Sequence, residues 1–592
     1  MQTLKKFLFL LNNQERKHAC LLLLMILIMA LLDMVGVASI LPFMTVLTNP
    51  ELVETNFILN TMYIVSFKFG VENNQQFLFA LGVLVFLLLI IALIFKSLTT
   101  YVQLHFIQMR EFSVSKRLVE EYLHQPYSWF LSRNSSELGK TILSEVQQVV
   151  LNGLSPLLEL IAKSVVTLTL IILLIIVDPK LTIIVGLSLG GAYSLIFYFV
   201  RHYVNIIGNK RLENNQLRFL AVGEAFGAIK EVKVASLEKI YTKQFSESAI
   251  KYAQTQASAQ AISQLPRFIL EAIAFGGILL IILYIMSQTG NFNSALPVVA
   301  LYVFAGYRLM PALQQIYSSF TQLTFIGPSL NKLYNDLQNL KPLNIGKNLD
   351  FTFKKKILLK NIYYDYPNSS RTALKNINIT IPAKSTIGLV GATGSGKTTT
   401  VDIILGLLEA KKGTLEVDGN VITKKNARSW QQLIGYVPQN IYLADDTIAS
   451  NIAFGVDIKD INNDMLEKAS KISNLHDFII EELPSKYQTR IGERGVRLSG
   501  GQRQRIGIAR ALYNSPKVLI LDEATSSLDN QTEKAVMDAV NNISKNTTII
   551  LIAHRLNTVK NCDIIFELSK GELIAQGSFD ELINSKNNFS PN

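Results

Sequence analysis

The chain has 592 residues, 49% of them apolar and 17% charged, with a formal net charge of +12 and a positive mean hydropathy. That composition excludes disorder, collagen-like repeats and coiled coil, and the length calls for more than one domain. Cys20 and Cys562 lie too far apart in sequence to build a disulfide framework, neither has a metal-ligand spacing, and the basic excess alone suits nucleic acid, anionic lipid or an anionic substrate.

Six long apolar runs fill roughly the first 315 residues: 19–45, 77–105 (most apolar over 77–95), 154–177, 181–200, 268–286 and 295–313. Each is about 19 residues or more, enough for a helix to cross about 30 Å of hydrocarbon. So many runs with so few charges need lipid as their solvent. The first is too long for a removable signal peptide and lacks its cleavage pattern. Six crossings return the chain to its starting side. Segments 106–153 and 201–267 are rich in Lys and Arg, whereas the stretches 46–76, 178–180 and 287–294 contain only Lys68 and Lys180. The positive-inside bias places both termini and the basic segments in the cytosol. Those segments read as helical extensions of the spans. Asn56–Phe69, on the outer side, reads equally as a surface helix or a plain loop.

Around residues 337–351 Pro342 and Gly346 break the helical pattern. The expected division is a membrane domain over 1–340 and a second domain over 345–592. The second alternates short β-rich runs, Gly turns and amphipathic helices, as a soluble α/β domain does. The basic excess is spread over both parts, so no nucleic-acid-binding tail is expected.

The chemistry lies in the second domain. Gly391, Ala392, Thr393, Gly394, Ser395, Gly396, Lys397, Thr398 and Thr399 follow a predicted strand and open a predicted helix. This is a phosphate-binding loop in its proper setting: the glycines bring backbone N–H groups to phosphate oxygens, and the helix N-terminus favours negative charge. Lys397 would reach the β- and γ-phosphates of ATP, and Thr398 would ligate Mg²⁺. The apolar strand VLILDE ends in two acids. Asp522 would stand near the metal, and Glu523 would orient or deprotonate the attacking water. Ser499, Gly500, Gly501 and Gln502 form a turn that opens another helix, a second anion site. One ATP does not need two such sites on one chain, so this loop is expected to cap ATP held by a second identical chain.

The order GATGSGKT, VPQN, LSGGQ, VLILDE, SSLD and AHR resembles the nucleotide-binding domain of ABC transporters over about 240 residues. The resemblance implies an all-α membrane domain of six transmembrane helices, of ABC exporter type, fused to an α/β P-loop ATPase. It further implies that Tyr366 stacks on adenine and that Gln439 touches Mg²⁺ or water and senses the membrane domain. Asp529 would sit at the dimer interface, and His554 would contact the γ-phosphate. Thr489–Gly495 resembles the X-loop of exporters. Coupling segments are implied near Gln125–Arg133 and Glu213–Ala228.

What is moved is read from charges in or beside the spans: Asp33, Lys96, Arg267, Glu271 and Arg308. Counting along each run puts Lys96, Arg267 and Arg308 in the inner-leaflet half, where with a partner's copies they would line a basic cavity. The alternatives are that Lys96 and Arg267 snorkel to headgroups, that Arg267 pairs with Glu271, and that Asp33 neutralises Arg308. Along most of its length the chain is similar to bacterial flippases of lipid-linked oligosaccharides, the PglK type, in VASILPFM, LPRFILEAIAFG and YRLMPA. That similarity implies a polyprenyl-pyrophosphate glycan turned from inner to outer leaflet of the bacterial plasma membrane, with Arg267 and Arg308 meeting its pyrophosphate. An exporter of lipid A-like lipids, drugs or peptides is the alternative. A soluble ABC ATPase is excluded by the spans.

Overall fold

Apolar runs with few turn formers become very long helices. The computed structural model describes residues 2–48, 52–68, 70–177, 179–269, 271–272, 275–276, 279, 292–340, 351–367, 369, 371–524, 530–544, 546–553 and 556–585. They form two compact units, one of residues 1–125 with 133–342 and the other of 126–132 with 343–592.

In the first unit the helices Asn74–Leu123, Pro179–Gly227 and Phe292–Asn339 run for 50, 49 and 48 residues. At 1.5 Å per residue each is about 75 Å long, more than twice a hydrocarbon core. Among the described residues, the helical stretches Asn13–Leu47, Asn74–Leu123 and Ser135–Ile176 are long and apolar enough to cross a membrane. Most of the 268–286 run lies outside the described residues.

Local chemistry sets the helix boundaries. Asn12 caps the first long helix, accepting from the Glu15 N–H at 2.8 Å, while the Glu15 carboxylate accepts from the Asn12 N–H. The expected single span 19–45 is two helices, Asn13–Ala38 and Ile40–Thr48. Pro42 has no N–H to offer the Ala38 carbonyl, so the ladder breaks there, and the Ser39 hydroxyl donates instead to the Gly36 carbonyl at 2.8 Å. Phe57–Phe67 is a helix. Its Leu59 and Tyr63 pack against Val46, Val53 and Phe77, while Phe57, Ile64 and Val65 stay exposed. The stretch Glu213–Ala228 continues its helix to Gly227, and the chain turns later, through the short helix Ile229–Val234. Two π-helical turns, Thr141–Glu145 and Val150–Leu154, interrupt the helical stretch that begins at Ser135.

The second unit is built on two sheets. Strands β1 (Lys356–Asp365), β2 (Thr372–Pro382), β4 (Lys412–Val417) and β5 (Asn420–Val421) form an antiparallel sheet in the order β2-β1-β4-β5. Strands β3 (Thr386–Val390), β6 (Ile434–Val437), β7 (Val518–Asp522), β8 (Thr548–Ile552), β9 (Ile564–Ser569) and β10 (Glu572–Gly577) form the other, in the order β10-β9-β3-β8-β7-β6. All its pairings are parallel except β9 with β10. β3, β7 and β8 are buried at every position, which is why they read as unbroken apolar runs. Parallel alignment brings the ends of β3 and β7 to one edge of the sheet, where such folds bind ligands. The four-residue helix Tyr127–Phe130, started by Pro126, groups with this unit.

Candidate active site

The loop after β3 is shaped for close approach. Gly391 has φ 146°, and a Cβ there would stand 2.2 Å from the Leu568 carbonyl oxygen. Gly396, at φ 106°, would drive a Cβ to 2.7 Å from Leu374. Neither position can hold a side chain, so the backbone N–H groups stay open to an incoming group. Lys397 opens the helix Lys397–Ile404, and its Nζ donates to the carbonyls of Gly391 (2.7 Å) and Ala392 (3.2 Å). Burial holds its pKa below the usual lysine range, opposed by the nearby Glu523 and Asp522. The buried Ser395 hydroxyl has no hydrogen-bond partner among the described residues. Thr398 is exposed, and Thr399 is buried with its hydroxyl 3.0 Å from that of Tyr366. An open backbone cradle, a folded-back lysine and an orphaned hydroxyl fit a polyphosphate.

Asp522 ends β7 and is 5% exposed. Burial raises the Tyr436 hydroxyl pKa, and that hydroxyl hydrogen-bonds Asp522. The next residue, Glu523, sits at φ 50°, in the left-handed region that side chains avoid. Strain of this kind persists where surrounding contacts impose it. The Glu523 N–H donates to the Ile552 carbonyl at 3.2 Å, and its Oε2 accepts from Gln439 Nε2 at 2.9 Å. The structure therefore gathers Lys397, Asp522, Glu523 and Gln439 at one end of the sheet. Asp402, on the helix after the loop, was absent from the sequence-derived set. Burial and the neighbouring Asp522 push its carboxyl up to about 6.

Ser499 caps the helix Gly500–Leu512 in both directions: its Oγ accepts from Gln502 N–H at 3.2 Å, and Gln502 Oε1 accepts from Ser499 N–H at 2.8 Å. Gly500 and Gly501 thus start a helix whose N-terminal N–H groups can face an anion.

The family model for ABC transporters matches residues 374–526, and that for the ABC transporter transmembrane region matches residues 19–312. The ATP-dependent lipid A-core flippase of Saccharophagus degradans is 30% identical over 482 residues, which span 80% of this chain and 79% of that one. The chain is an ABC transporter. The multidrug resistance protein 1 of Entamoeba histolytica is 33% identical over 386 residues, covering 61% of this transporter but 29% of that protein. A bacterial Atm1-family ABC exporter solved with ATP bound has the same fold, with a TM-score of 0.77 and 22% identity over 97% of each chain. A helical exporter-type membrane domain is fused to a nucleotide-binding domain, and the transporter is an ATP-hydrolysing one.

Three residues singled out in the sequence fall where less is described. His554 and Asp529 lie outside the described residues, and Arg308 is placed on the helix Phe292–Asn339 with its side chain outside them. Lys96 is half-buried on Asn74–Leu123. Arg267 Nε holds Glu271 Oε1 at 2.6 Å, with the arginine side chain 62% exposed. The structure adds a polar cluster that charge counting missed. Gln315 Nε2 donates to Glu159 Oε2, Tyr193 Oη donates to Gln314 at 2.9 Å, and Gln314 donates to the Ser263 carbonyl at 3.0 Å. The signal was present: Glu159 and Lys163 are charged residues one turn apart inside the 154–177 run.

Proposed function

We propose that this ABC exporter turns an anionic lipid-linked glycan, of the polyprenyl-pyrophosphate kind, from the inner to the outer leaflet of a bacterial plasma membrane. It works as a homodimer, with its ATPase domains and termini in the cytosol. The observation that carries the reading is the trio Lys96, Arg267 and Arg308, one cation in or just beside each of three apolar runs. Charge at that depth is costly unless an opposite charge meets it. Arg267 already meets Glu271, so a pyrophosphate would compete with that carboxylate for the guanidinium. Lys96 would serve a phosphate as a point charge, and the arginines as bidentate forks. An exporter of lipid A-like lipid is the second reading, favoured by the name of the flippase relative.

The ATP site supports a defined division of labour. Tyr366 would stack on adenine, residues Gly391 to Thr399 would hold the phosphates, and Lys397 would leave its carbonyl partners for the β- and γ-oxygens. Thr398, Gln439 and Asp522 would hold Mg²⁺, which neutralises charge on the phosphate oxygens when bound. Glu523 accepts a proton from the attacking water, and Gln439, which holds Glu523 in this structure, keeps the carboxylate aimed. His554 would contact the γ-phosphate. Ser499, Gly500, Gly501 and Gln502 of a second identical chain would close over it.

The deciding experiment is ATP-driven flipping in proteoliposomes, with lipid-linked oligosaccharide, lipid A-like lipid, drug and peptide tested side by side. Flipping of the first alone, abolished by Glu523→Gln, is the expected result. Flipping of the lipid A-like substrate alone selects the second reading. Replacing Lys96 and Arg308 together by Ala should reduce flipping at least several-fold, and full transport by that double variant would sink the cation argument.

A further inference from the structure

One arginine ties the signature helix Gly500–Leu512, which opens at the LSGGQ sequence, to the segment that follows Gln439 in the same chain. Arg510 lies near the end of the helix Gly500–Leu512, half-buried. Its Nε donates to the Asn451 carbonyl at 2.7 Å, its Nη1 to the Tyr442 carbonyl at 2.8 Å, and its Nη2 to Asn451 Oδ1 at 3.2 Å. The guanidinium also lies 4.5 Å over the ring of Phe454. Tyr442 is three residues past Gln439, whose amide holds Glu523. Asn451 is itself fully buried and immobilised: its amide bonds the Ala444 N–H, the Ala444 carbonyl and the Thr447 carbonyl, each at 3.0 Å. One planar fork therefore ties the loop carbonyl of Tyr442 and the carbonyl of Asn451, on the short helix Ile448–Ile452, to the signature helix, a geometry that a lysine ammonium on a flexible stem cannot reproduce.

We infer that Arg510 is a positioning residue that passes the state of one ATP site to the other: it links the Gln439 segment of its own site to the signature helix, whose Ser499 end completes the partner's site. The inference rests on the proposed pairing of two chains around two ATP molecules. Movement of Gln439 between Glu523 and bound nucleotide shifts the Tyr442 carbonyl, and Arg510 carries that shift along a rigid 13-residue helix. A contiguous path becomes a coupling only if removing its link changes cooperativity, so cooperativity is what must be measured.

The test uses the full-length transporter in nanodiscs, with ATP-dependent hydrolysis, thermal stability and inter-chain cross-linking read on the wild type, Arg510→Lys and Arg510→Met. Two coupled sites allow a Hill coefficient up to about 2. The expected result is a wild-type coefficient clearly above 1 that falls to about 1 in both variants, with kcat at saturating ATP within about threefold and half-saturation shifted. Arg510→Lys decides the outcome if Arg510→Met folds poorly. Variants that lose thermal stability but keep the wild-type coefficient overturn the inference and leave Arg510 a structural prop. So does a wild-type coefficient of 1, because there is then no coupling to carry. An ATP-dependent disulfide between Thr393→Cys of one chain and Ser499→Cys of the other reports the pairing separately; without it the paired-site reading fails first, and this inference with it.

Discussion

Replacing either member of the buried Arg211–Glu145 pair by Met should be among the most damaging single changes in the helical unit. Arg211 is wholly buried and Glu145 is 2% exposed, and Arg211 Nη2 donates to Glu145 Oε2 at 2.5 Å. The same nitrogen donates to the Ser329 hydroxyl, while Asn215 Nδ2 donates to Glu145 Oε1 at 2.7 Å. The pair thereby pins together the helical stretch after Ser135, the helix Pro179–Gly227 and the helix Phe292–Asn339. Arg211→Met leaves Glu145 a buried carboxylate with Asn215 as its remaining side-chain donor among the described residues. Breaking a buried pair from one side costs about 3–5 kcal/mol. Glu145→Met belongs at the upper end, because Arg211 Nε and Nη1 already lack partners among the described residues. Removing both charges strands neither, so the double variant should fall within about 1–2 kcal/mol of wild type, with a coupling energy of several kcal/mol. The assay is denaturation in detergent, followed by circular dichroism of the helices, for both single variants and the double. Single variants within about 1 kcal/mol of wild type, or a double variant as unstable as the sum of the singles, would refute the reasoning.

Further outcomes follow from the ATPase unit. Glu523→Gln keeps the bond from Gln439 geometrically possible but removes the base, so kcat should drop by at least ~100-fold while ATP binding persists; near-normal turnover would remove Glu523 from the base role. Asp402 titrates at about 6 when folded, above its unfolded value, so its contribution to stability is complete below about pH 4 and lost as pH rises through 6. Asp402→Asn should therefore gain stability on wild type by up to about 3 kcal/mol between pH 4 and pH 7.5, measured without nucleotide or Mg²⁺; a pH-independent difference would count against a buried carboxyl. Burial pushes the Cys562 thiol up to about 12, which cuts its thiolate about 1000-fold relative to an ordinary thiol. At pH 8 a maleimide should label exposed Cys20 and leave Cys562 untouched until the protein unfolds, and equal labelling rates would contradict that burial.

The fold class was legible because its signals are local. Lipid as solvent demands runs of about 20 apolar residues, and a strand buried on both faces must read as TIGLV or TIILI. The phosphate loop is legible for the same reason, since its donors are backbone groups of consecutive residues. The kink at Ser39 was legible in principle from Pro42, but a continuous apolar run masked it. Asp402 and Arg510 were not legible. Asp402 is one acid in a short helix until the end of β7 is placed beside it, and Arg510 is one of three arginines in RQRIGIAR until Tyr442 and Asn451 fold against it.

The contacts between the long helices are harder to read because each helix contributes one side chain and the helices do not keep a constant face. Glu159 meets Gln315 across 156 residues of sequence, and Arg211 meets Ser329 across 118. Predicting such meetings requires counting faces along a regular helix at 3.6 residues per turn. The stretch that carries Glu159 defeats the count, because its two π turns lie before it. Each π turn accommodates about one extra residue, and so rotates everything beyond it by about 100°. The Glu159–Gln315 meeting supplies one point of register that the sequence withheld. Arg308 lies seven residues before Gln315 on the same helix, about 10 Å from it along the axis. Thr167 is buried, and its hydroxyl has no hydrogen-bond partner among the described residues. The Glu159–Gln315 contact thus joins a polar pair from the third apolar run and the helix that carries the sixth, a meeting that a linear count of charges does not suggest.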